Sequence, residues 1–246
     1  MRVLQGKVTR AETFITWRRV IKSYSSMSLT KESDRFAALA GLAQRFKDVL
    51  QCRYLAGLWD DYEELPQLLL WMQYATSEDA ISKVPDEAER LRGIPTWSWA
   101  SIYYPPQGKG SGWHGAHYSF LENKRQDVNF DPRVKIIRVT VDGNPDDLMN
   151  PPGKMSIVLE GFCVLNTLVN VSTVYPDLVA STDTPEQLWY LFMATRFDAN
   201  RSEGKLCLLL QRLPCGRFER FGVASISPDR YRELFEKGKV MEVELV

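Results

Sequence analysis

The hydrophobic pattern of this sequence changes its period once, near residue 92, and no other feature constrains the fold as strongly. In the first part of the chain, large apolar side chains recur every three or four residues, which is the spacing of one helix face. After Gly93, apolar residues follow the two-residue alternation that is typical of strands. The sequence therefore predicts an α+β fold, with a helical region over residues 1–92 packed on a β-rich region over residues 93–246.

Three amphipathic helices are predicted in the N-terminal region. The first two each carry one apolar face, formed by Phe14, Trp17, Ile21 and Tyr24 in one helix and by Phe36, Leu39, Ala43, Phe46 and Leu50 in the other. The second follows a polar start that contains Ser33 and Asp34, as helix starts often do. The third is expected to begin near Asp60, to accommodate Pro66 in its first turn, and to continue through Met72.

Six strands are predicted in the second region, enough for an antiparallel β-sandwich or a barrel-like sheet. They are expected at Val134–Val141, Met155–Leu165, Leu188–Phe197, Lys205–Leu210, Arg217–Ile226 and Val240–Val246. Pro214 and Gly216 lie between two of these runs and predict a hairpin turn. One late helix interrupts the strands, with Ser227 as its cap, Pro228 in its first position and Gly238 after its end.

Charge and apolar content argue against several classes of partner. The 31 basic and 31 acidic residues cancel, so no net field attracts nucleic acid. No apolar run approaches the roughly 20 residues that span a bilayer, and the first residues lack the apolar core of a signal peptide. Four scattered cysteines do not form a disulfide framework. We therefore expect a cytoplasmic protein that binds neither nucleic acid nor membrane.

The candidates for metal binding and catalysis are weak. His114 and His117 are three residues apart, but the glycine-rich segment Gly108–Gly115 does not favour the helix that would bring them together. No Gly-x-Ser-x-Gly segment and no glycine-rich phosphate loop is present. The acidic stretch Asp60–Glu64 fits a helix start, where acids complement the helix dipole. The sequence predicts no catalytic residue, no cofactor and no metal, hence a protein that is not an enzyme.

A dense group of aromatic residues leaves two interpretations open. The group consists of Trp97, Trp99, Tyr103, Tyr104, Trp113 and Tyr118. Exposed aromatics on a β domain could bind sugar rings or a peptide, whereas buried ones would join the helical region to the β region. If the segment is a strand, Trp97 and Trp99 share one face, which favours the buried interpretation.

Several segments together resemble fungal heterokaryon incompatibility (HET-domain) proteins, by their order and spacing between Trp17 and Ile102. The residues that carry this resemblance are Tyr24, Leu29, Thr30, Asp34, Gly41, Tyr54, Gly57, Leu58, Trp59, Trp71, Pro95, Trp97, Ser98 and Trp99. The stretches Cys207–Leu210 and Arg217–Gly222 look like the late hairpin of the same family. These residues are interpreted as structural.

The resemblance covers the region that follows the HET domain in that family. The HET domain itself, which is similar to TIR domains and is associated with programmed cell death when incompatible fungi fuse, has no counterpart in this sequence. The resemblance therefore implies a non-catalytic region with a regulatory or scaffolding role in fungal non-self recognition, and a HET domain as partner in cis or in trans. We expect a truncated paralogue, a partial gene model or a separate accessory region. The alternative from the residues themselves is a small-ligand or carbohydrate-binding β module, and an unfamiliar enzyme is the third.

Overall fold

The computed structural model describes most of both regions. The described residues are 9–25, 27, 29, 31, 34–74, 89–91, 93–103, 117–119, 127–144, 146–150, 154–167, 173–177, 187–197 and 203–246. Within them, the chain forms an α+β fold in which N-terminal helices pack against a large mixed sheet. The predicted fold class is thereby confirmed. No helix in these ranges is both long and apolar enough to cross a membrane.

The first two predicted helices are confirmed. Helix α1 spans Arg10–Ser25 and helix α2 spans Arg35–Leu50. The apolar residues predicted for each contact face are buried, apart from Tyr24, which is half-buried. Gln51 ends α2 in the left-handed conformation, with φ of 53°, and its amide donates to the Lys47 carbonyl. This αL cap turns the chain back toward the core.

The third predicted helix is wrong in its extent. Helix α3 spans only Leu65–Leu68, with Pro66 in its first turn, and Met72 begins a strand. The physical reason is that the apolar run has no polar face. Leu68, Leu69, Leu70 and Trp71 are all fully buried, so the segment lies inside the protein rather than on one side of it. A run buried on every side carries no helical period, and the sequence pattern cannot fix its conformation.

Three small strand pairs accompany these helices. Strands β1 (Tyr54–Leu55) and β2 (Leu58–Trp59) form a hairpin, β3 (Met72–Tyr74) pairs with β6 (His117–Ser119), and β4 (Glu89–Arg90) pairs with β5 (Ile102–Tyr103). All three pairs are antiparallel. They link the helices to the segment that precedes the large sheet.

The large sheet contains eight strands. Their bounds are β7 Asp127–Phe130, β8 Lys135–Asp142, β9 Lys154–Thr167, β10 Thr173–Pro176, β11 Gln187–Phe197, β12 Glu203–Arg212, β13 Phe218–Ile226 and β14 Lys239–Leu245. The six predicted strands are confirmed to within a few residues. The other two, β7 and β10, were not predicted because each has four residues and no alternating run of useful length.

The sheet curves into a barrel-like form that does not close. Its strand order is β7-β11-β12-β13-β14-β9-β8, β10 lies beside β13, and β9 also pairs with β11. All pairs are antiparallel except β13 with β14, which meet in parallel at the single pair Phe218 and Leu245. We call the gap between β13 and β14 the seam. Because so little backbone pairing holds the seam, other parts of the chain must close it.

The predicted hairpin turn and the late helix are both confirmed. Gly216 has φ of 87° and donates to the Leu213 carbonyl, so β12 and β13 are joined by a tight turn. Helix α4 spans Pro228–Phe235, and the Ser227 side chain accepts from the Arg230 amide. Gly238 follows the helix for a packing reason. A Cβ there would lie 2.2 Å from the Phe162 ring, which leaves no room for a side chain.

One hydrophobic core runs through both regions. It joins residues of α1 and α2 to the segment 97–102 and to the inner face of the sheet. A second, smaller cluster lies on the outer face of the sheet beneath α4 and includes Phe162, Phe192 and Leu234. The helical region therefore contributes to the core of the sheet, and the connecting segment after Gly93 lies between the two.

Candidate functional site

Several of the residues that carry the family resemblance meet at the hairpin formed by β1 and β2. Its turn consists of Ala56 and Gly57, whose φ values of 44° and 97° are both positive, as in the tight turns that fit the twist of a hairpin. The Gly57 carbonyl accepts from the indole nitrogens of Trp17 at 3.0 Å and Trp99 at 3.2 Å. A Cβ at Gly57 would lie 2.3 Å from the Trp99 nitrogen. Glycine is required here by conformation and by space.

The segment Pro95–Ser101 is fixed against the same turn. The Ser98 hydroxyl donates to the Ala56 carbonyl at 2.5 Å and accepts from the Ala100 amide at 3.0 Å. The Trp71 indole donates to the Trp97 carbonyl at 2.8 Å. Each of these polar side-chain atoms bonds to the backbone of the core. The arrangement joins the helical region to the entry of the sheet.

The prediction for the two tryptophans is half confirmed. Trp97 and Trp99 are buried, as expected, with exposed fractions of 0% and 1%. The strand on which that expectation rested is wrong, because Trp97 lies in a turn and Trp99–Ser101 form a 3₁₀ helix capped by Ser98. Both side chains belong to the core, where the Trp99 indole reaches the Gly57 carbonyl. Of the other aromatics in that group, Tyr104 and Trp113 lie outside the described residues.

Four aromatic rings form the centre of the helical region. Trp17 contacts Phe46, Tyr54 and Trp59 edge to face, with ring centroids 5.1 to 5.9 Å apart. Burial raises the pKa of the Tyr54 phenol well above its usual range, so this group stays neutral. Such edge-to-face pairs stabilise a core beyond the area that they bury.

The remaining residues of the resemblance lie around this centre or away from it. The Tyr24 hydroxyl donates to the Arg35 carbonyl at 2.8 Å, and the Tyr24 ring meets Trp99 edge to face. Asp34 occupies the cap position of α2 without a capping bond from its side chain. Leu58 and Pro95 are buried, and Leu29 is half-buried, whereas Thr30 lies outside the described residues. Gly41 faces open space, where nothing requires a glycine.

Sequence reasoning missed the most constrained polar group, Arg220 on β13. Its guanidinium pairs with Asp177 through three contacts of 2.9 to 3.2 Å, and the two side chains are 0% and 2% exposed. It also donates to the Leu69 carbonyl and, at 2.6 Å, to the Trp71 carbonyl, and it lies 3.5 Å from the centroid of the Trp71 ring. The guanidinium of Arg220, in the β region, thus donates hydrogen bonds to two backbone carbonyls of the helical region.

The same position closes the seam. The backbone amide of Arg220 donates to the Thr96 hydroxyl at 3.0 Å, and the Thr96 amide donates to the Val246 carbonyl at 3.0 Å. Thr96 therefore bridges β13 to the residue that follows β14. The signal for Arg220 was present in the sequence, because it shares an inward-facing parity with Phe218, two residues earlier. A charge on the inner face of a strand needs a buried partner.

Two other arginines also satisfy buried backbone or side-chain groups. Arg35 donates to the carbonyls of Ala100 and Ile102 at 2.9 and 2.7 Å, which ties α2 to the 3₁₀ helix. Arg18 pairs with Glu64 at 3.2 Å. Burial raises the pKa of Glu64, although the positive charge of Arg18 acts in the opposite direction.

The acidic stretch forms the turn before α3 and takes part in ion pairs with two arginines. The Asp61 carboxylate accepts from the amides of Glu63 and Glu64 at 3.0 Å each and pairs with Arg10, while Asp60 pairs with Arg53. Burial alone would raise the pKa of Asp61, but the hydrogen bonds from Arg10 and from these two amides outweigh it and lower the pKa. The helix begins only at Leu65 and has no acidic residue in its first turn, so the stretch lies before the helix rather than at its start as the sequence indicated.

The histidines and cysteines offer little chemistry in the described part of the chain. His114 lies outside the described residues, and His117 belongs to β6. Within the ranges given above, no group of three or more His, Cys, Asp or Glu side chains could hold a metal ion. Cys163 and Cys207 are buried, and burial raises the pKa of the Cys163 thiol to about 12.

A cleft of about 410 Å³ opens on the outer face of the sheet, above the seam. One side is the segment Gly93–Thr96, and the other is formed by the ends of β8, β9 and β14 and the start of β13. We call it the seam cleft. Its lining includes two threonines and a serine, five charged side chains, and the apolar residues Ile94, Pro95 and Met155. A cleft of this size at the junction of two structural regions is a suitable place for a small ligand.

Comparison with models of protein families, with curated proteins and with solved structures found no match to this chain. The fold and the site therefore have to be interpreted from their own geometry.

Proposed function

We propose that this chain is a non-catalytic regulatory or scaffolding module of the heterokaryon incompatibility type. In this proposal it acts on a HET domain, in cis or in trans, in the cytoplasm of a fungal cell. It restrains or supports that domain in non-self recognition and programmed cell death. The proposal rests on the resemblance and on how the resembling residues are used.

The observation that supports it is that Trp99 and Ser98 of the resemblance, together with Trp17 of α1, bind the turn at Gly57. Two indole nitrogens bind this one oxygen, and Ser98 binds the preceding carbonyl of Ala56. A catalytic centre presents its polar groups to a substrate. Here the polar atoms of Trp17, Trp99 and Ser98 are bound to buried backbone, so these residues hold two regions together and leave the surface for a partner.

Binding to a HET domain tests the proposal directly. The purified full chain is titrated against a purified fungal HET domain by calorimetry, and both are expressed together in fungal cells whose viability is scored. We expect a complex and a change in the killing caused by the HET domain. Trp99→Ala should lose both effects because it breaks the framework, whereas Gly41→Ala, on an exposed helix face, should keep them. Absence of binding together with unchanged killing would contradict the proposal.

The proposal that the chain is not an enzyme is tested separately. Purified chain incubated with NAD should leave the dinucleotide intact over hours. Turnover above a control without protein, abolished by substitution of a single carboxylate, would identify an enzyme instead.

A second candidate function, a small-ligand-binding β module, is favoured by the seam cleft. Trp97 and Trp99 cannot stack against a sugar ring, because neither indole reaches the surface. The cleft offers polar and charged groups instead, and these indicate a different class of ligand.

A further inference from the structure

The floor of the seam cleft presents an accessible hydroxyl. Ser156 is 8% exposed and lines the cleft, and within the described residues its hydroxyl oxygen is not among the buried polar atoms. Thr140 lies directly opposite Ser156 across the β8–β9 pair and lines the same cleft. Two neighbouring hydroxyls thus face one space. Because each hydroxyl can both donate and accept a hydrogen bond, this pair is suited to bind a polar ligand or water.

The rim of the cleft carries charges of both signs. Lys154 and Arg217 are positive, and Asp142, Glu219 and Glu244 are negative. No ion pair joins any two of these five within the described residues, although Arg217 contacts the Cys215 sulfur at 3.5 Å. Arg217 and Glu244 attract each other electrostatically without forming an ion pair within the described residues.

Strand register explains why these groups share one side. Asp142 is opposite Lys154, and Thr140 is opposite Ser156, so the four side chains stand on one face of β8 and β9. Glu244 is opposite Val158, which has the same parity as Ser156 and therefore lies on that face too. Helix α4 covers a different part of the outer face, where Phe162, Phe192 and Leu234 pack together.

We propose that the seam cleft binds a small zwitterion, a free amino acid or a dipeptide. The ligand carboxylate lies toward Lys154 and Arg217, and its ammonium group lies toward the carboxylates of the rim. The hydroxyls of Ser156 and Thr140 bind its polar backbone atoms, and the apolar wall receives its side chain. The volume of about 410 Å³ lies at the small end of the range for ligand cavities, which suits such a molecule. This inference does not depend on the proposed link to a HET domain.

The test uses the full chain and a defined set of probes. The twenty standard amino acids and glycylglycine are screened at millimolar concentration by thermal shift, and the best probe is measured by calorimetry. Its N-acetyl derivative, which lacks the ammonium charge, and its amide, which lacks the carboxylate, serve as matched controls. We expect saturable binding of at least one zwitterion, weakened at least about tenfold in both derivatives, because each lost charge-assisted contact has that effect.

Two variants locate the binding in the cleft. Lys154→Gln and Glu244→Gln should each weaken binding by about tenfold without changing the melting temperature of the free protein. Lys239→Gln is the matched control, because Lys239 is exposed on β14 and does not line the cleft. The proposal is overturned if no probe binds at 10 mM, about the weakest binding that would matter. It is also overturned if the derivatives bind as well as the zwitterion, or if the two cleft variants bind like the control.

Discussion

Replacing Arg220 by methionine tests how the two regions are held together. The change keeps an unbranched, flexible side chain and removes the charge, so the Asp177 carboxylate remains buried at 2% exposure without its partner. The carbonyls of Leu69 and Trp71 lose their donors at the same time. Breaking a buried ion pair from one side typically costs about 3–5 kcal/mol. With a urea m-value of about 2.5 kcal/mol/M, the unfolding midpoint should fall by about 1–2 M.

Urea unfolding followed by tryptophan fluorescence and by far-UV circular dichroism measures this loss. Five buried tryptophans lie in the helical region and its connecting segment, so fluorescence reports on the junction, whereas dichroism near 218 nm follows the sheet. Arg232→Met is the control, because its pair with Asp229 is 77% and 83% exposed and is worth at most about 1 kcal/mol. The double variant Arg220→Met with Asp177→Leu should cost less than the sum of the single changes by about 2 kcal/mol. A loss below about 1 kcal/mol for Arg220→Met, or strict additivity in the double variant, would refute the reasoning.

Three further predictions concern the turn at Gly57, the independence of the two regions and the stability of the protein in acid. Gly57→Ala should lower the free energy of unfolding by about 1–3 kcal/mol, because the new Cβ collides with Trp99 and the residue has a positive φ. Its control, Gly41→Ala, should raise the free energy of unfolding by up to about 1 kcal/mol. Equal effects of the two changes would count against the packing role of the turn. A fragment of residues 1–92 should aggregate or remain molten, whereas the full chain should melt in one calorimetric transition. Two transitions in the full chain, together with a folded and monomeric fragment, would show that the two regions are independent. Because the pKa of Asp61 is lowered in the folded state, its contribution is present above about pH 5 and is lost as the pH falls below about 4. The stability advantage over Asp61→Asn should disappear in acid, and a difference that persists unchanged at pH 2 would contradict this assignment.

The hydrophobic pattern predicted the helices and strands that have one exposed side, which are α1, α2, β8 and β14. Strands β9, β11, β12 and β13 are buried on both faces over much of their length, and they could be recognised as long apolar runs bounded by turn residues. The pattern failed at Leu68–Trp71, where every side chain is buried and the short α3 gives way to extended chain. It also failed around Trp97, whose inward position depends on a turn and on the carbonyls that meet there rather than on alternation.

The candidate site was less accessible to sequence reasoning, because its members are far apart in the chain. Thr96 and Arg220 are 124 residues apart, and the rim of the seam cleft combines the ends of four strands with the segment after Gly93. Single residues such as Ser156 and Glu244 have no local motif. The convergence of two indoles on Gly57 could be suspected from the resemblance, but the role of the glycine became clear only from the space around it.

The position of Arg220 in the sequence also determines how late in synthesis the N-terminal region can complete its contacts. The Leu69 carbonyl that it satisfies is 151 residues earlier. At about 5–20 residues per second, the ribosome needs roughly 8–30 s to make the intervening chain. During that interval the apolar faces of the helices and the carbonyls of Leu69 and Trp71 lack their partners in the β region. We expect the newly made N-terminal region to depend on a holding chaperone until β13 emerges, and ribosome stalling between these points to leave an aggregation-prone intermediate.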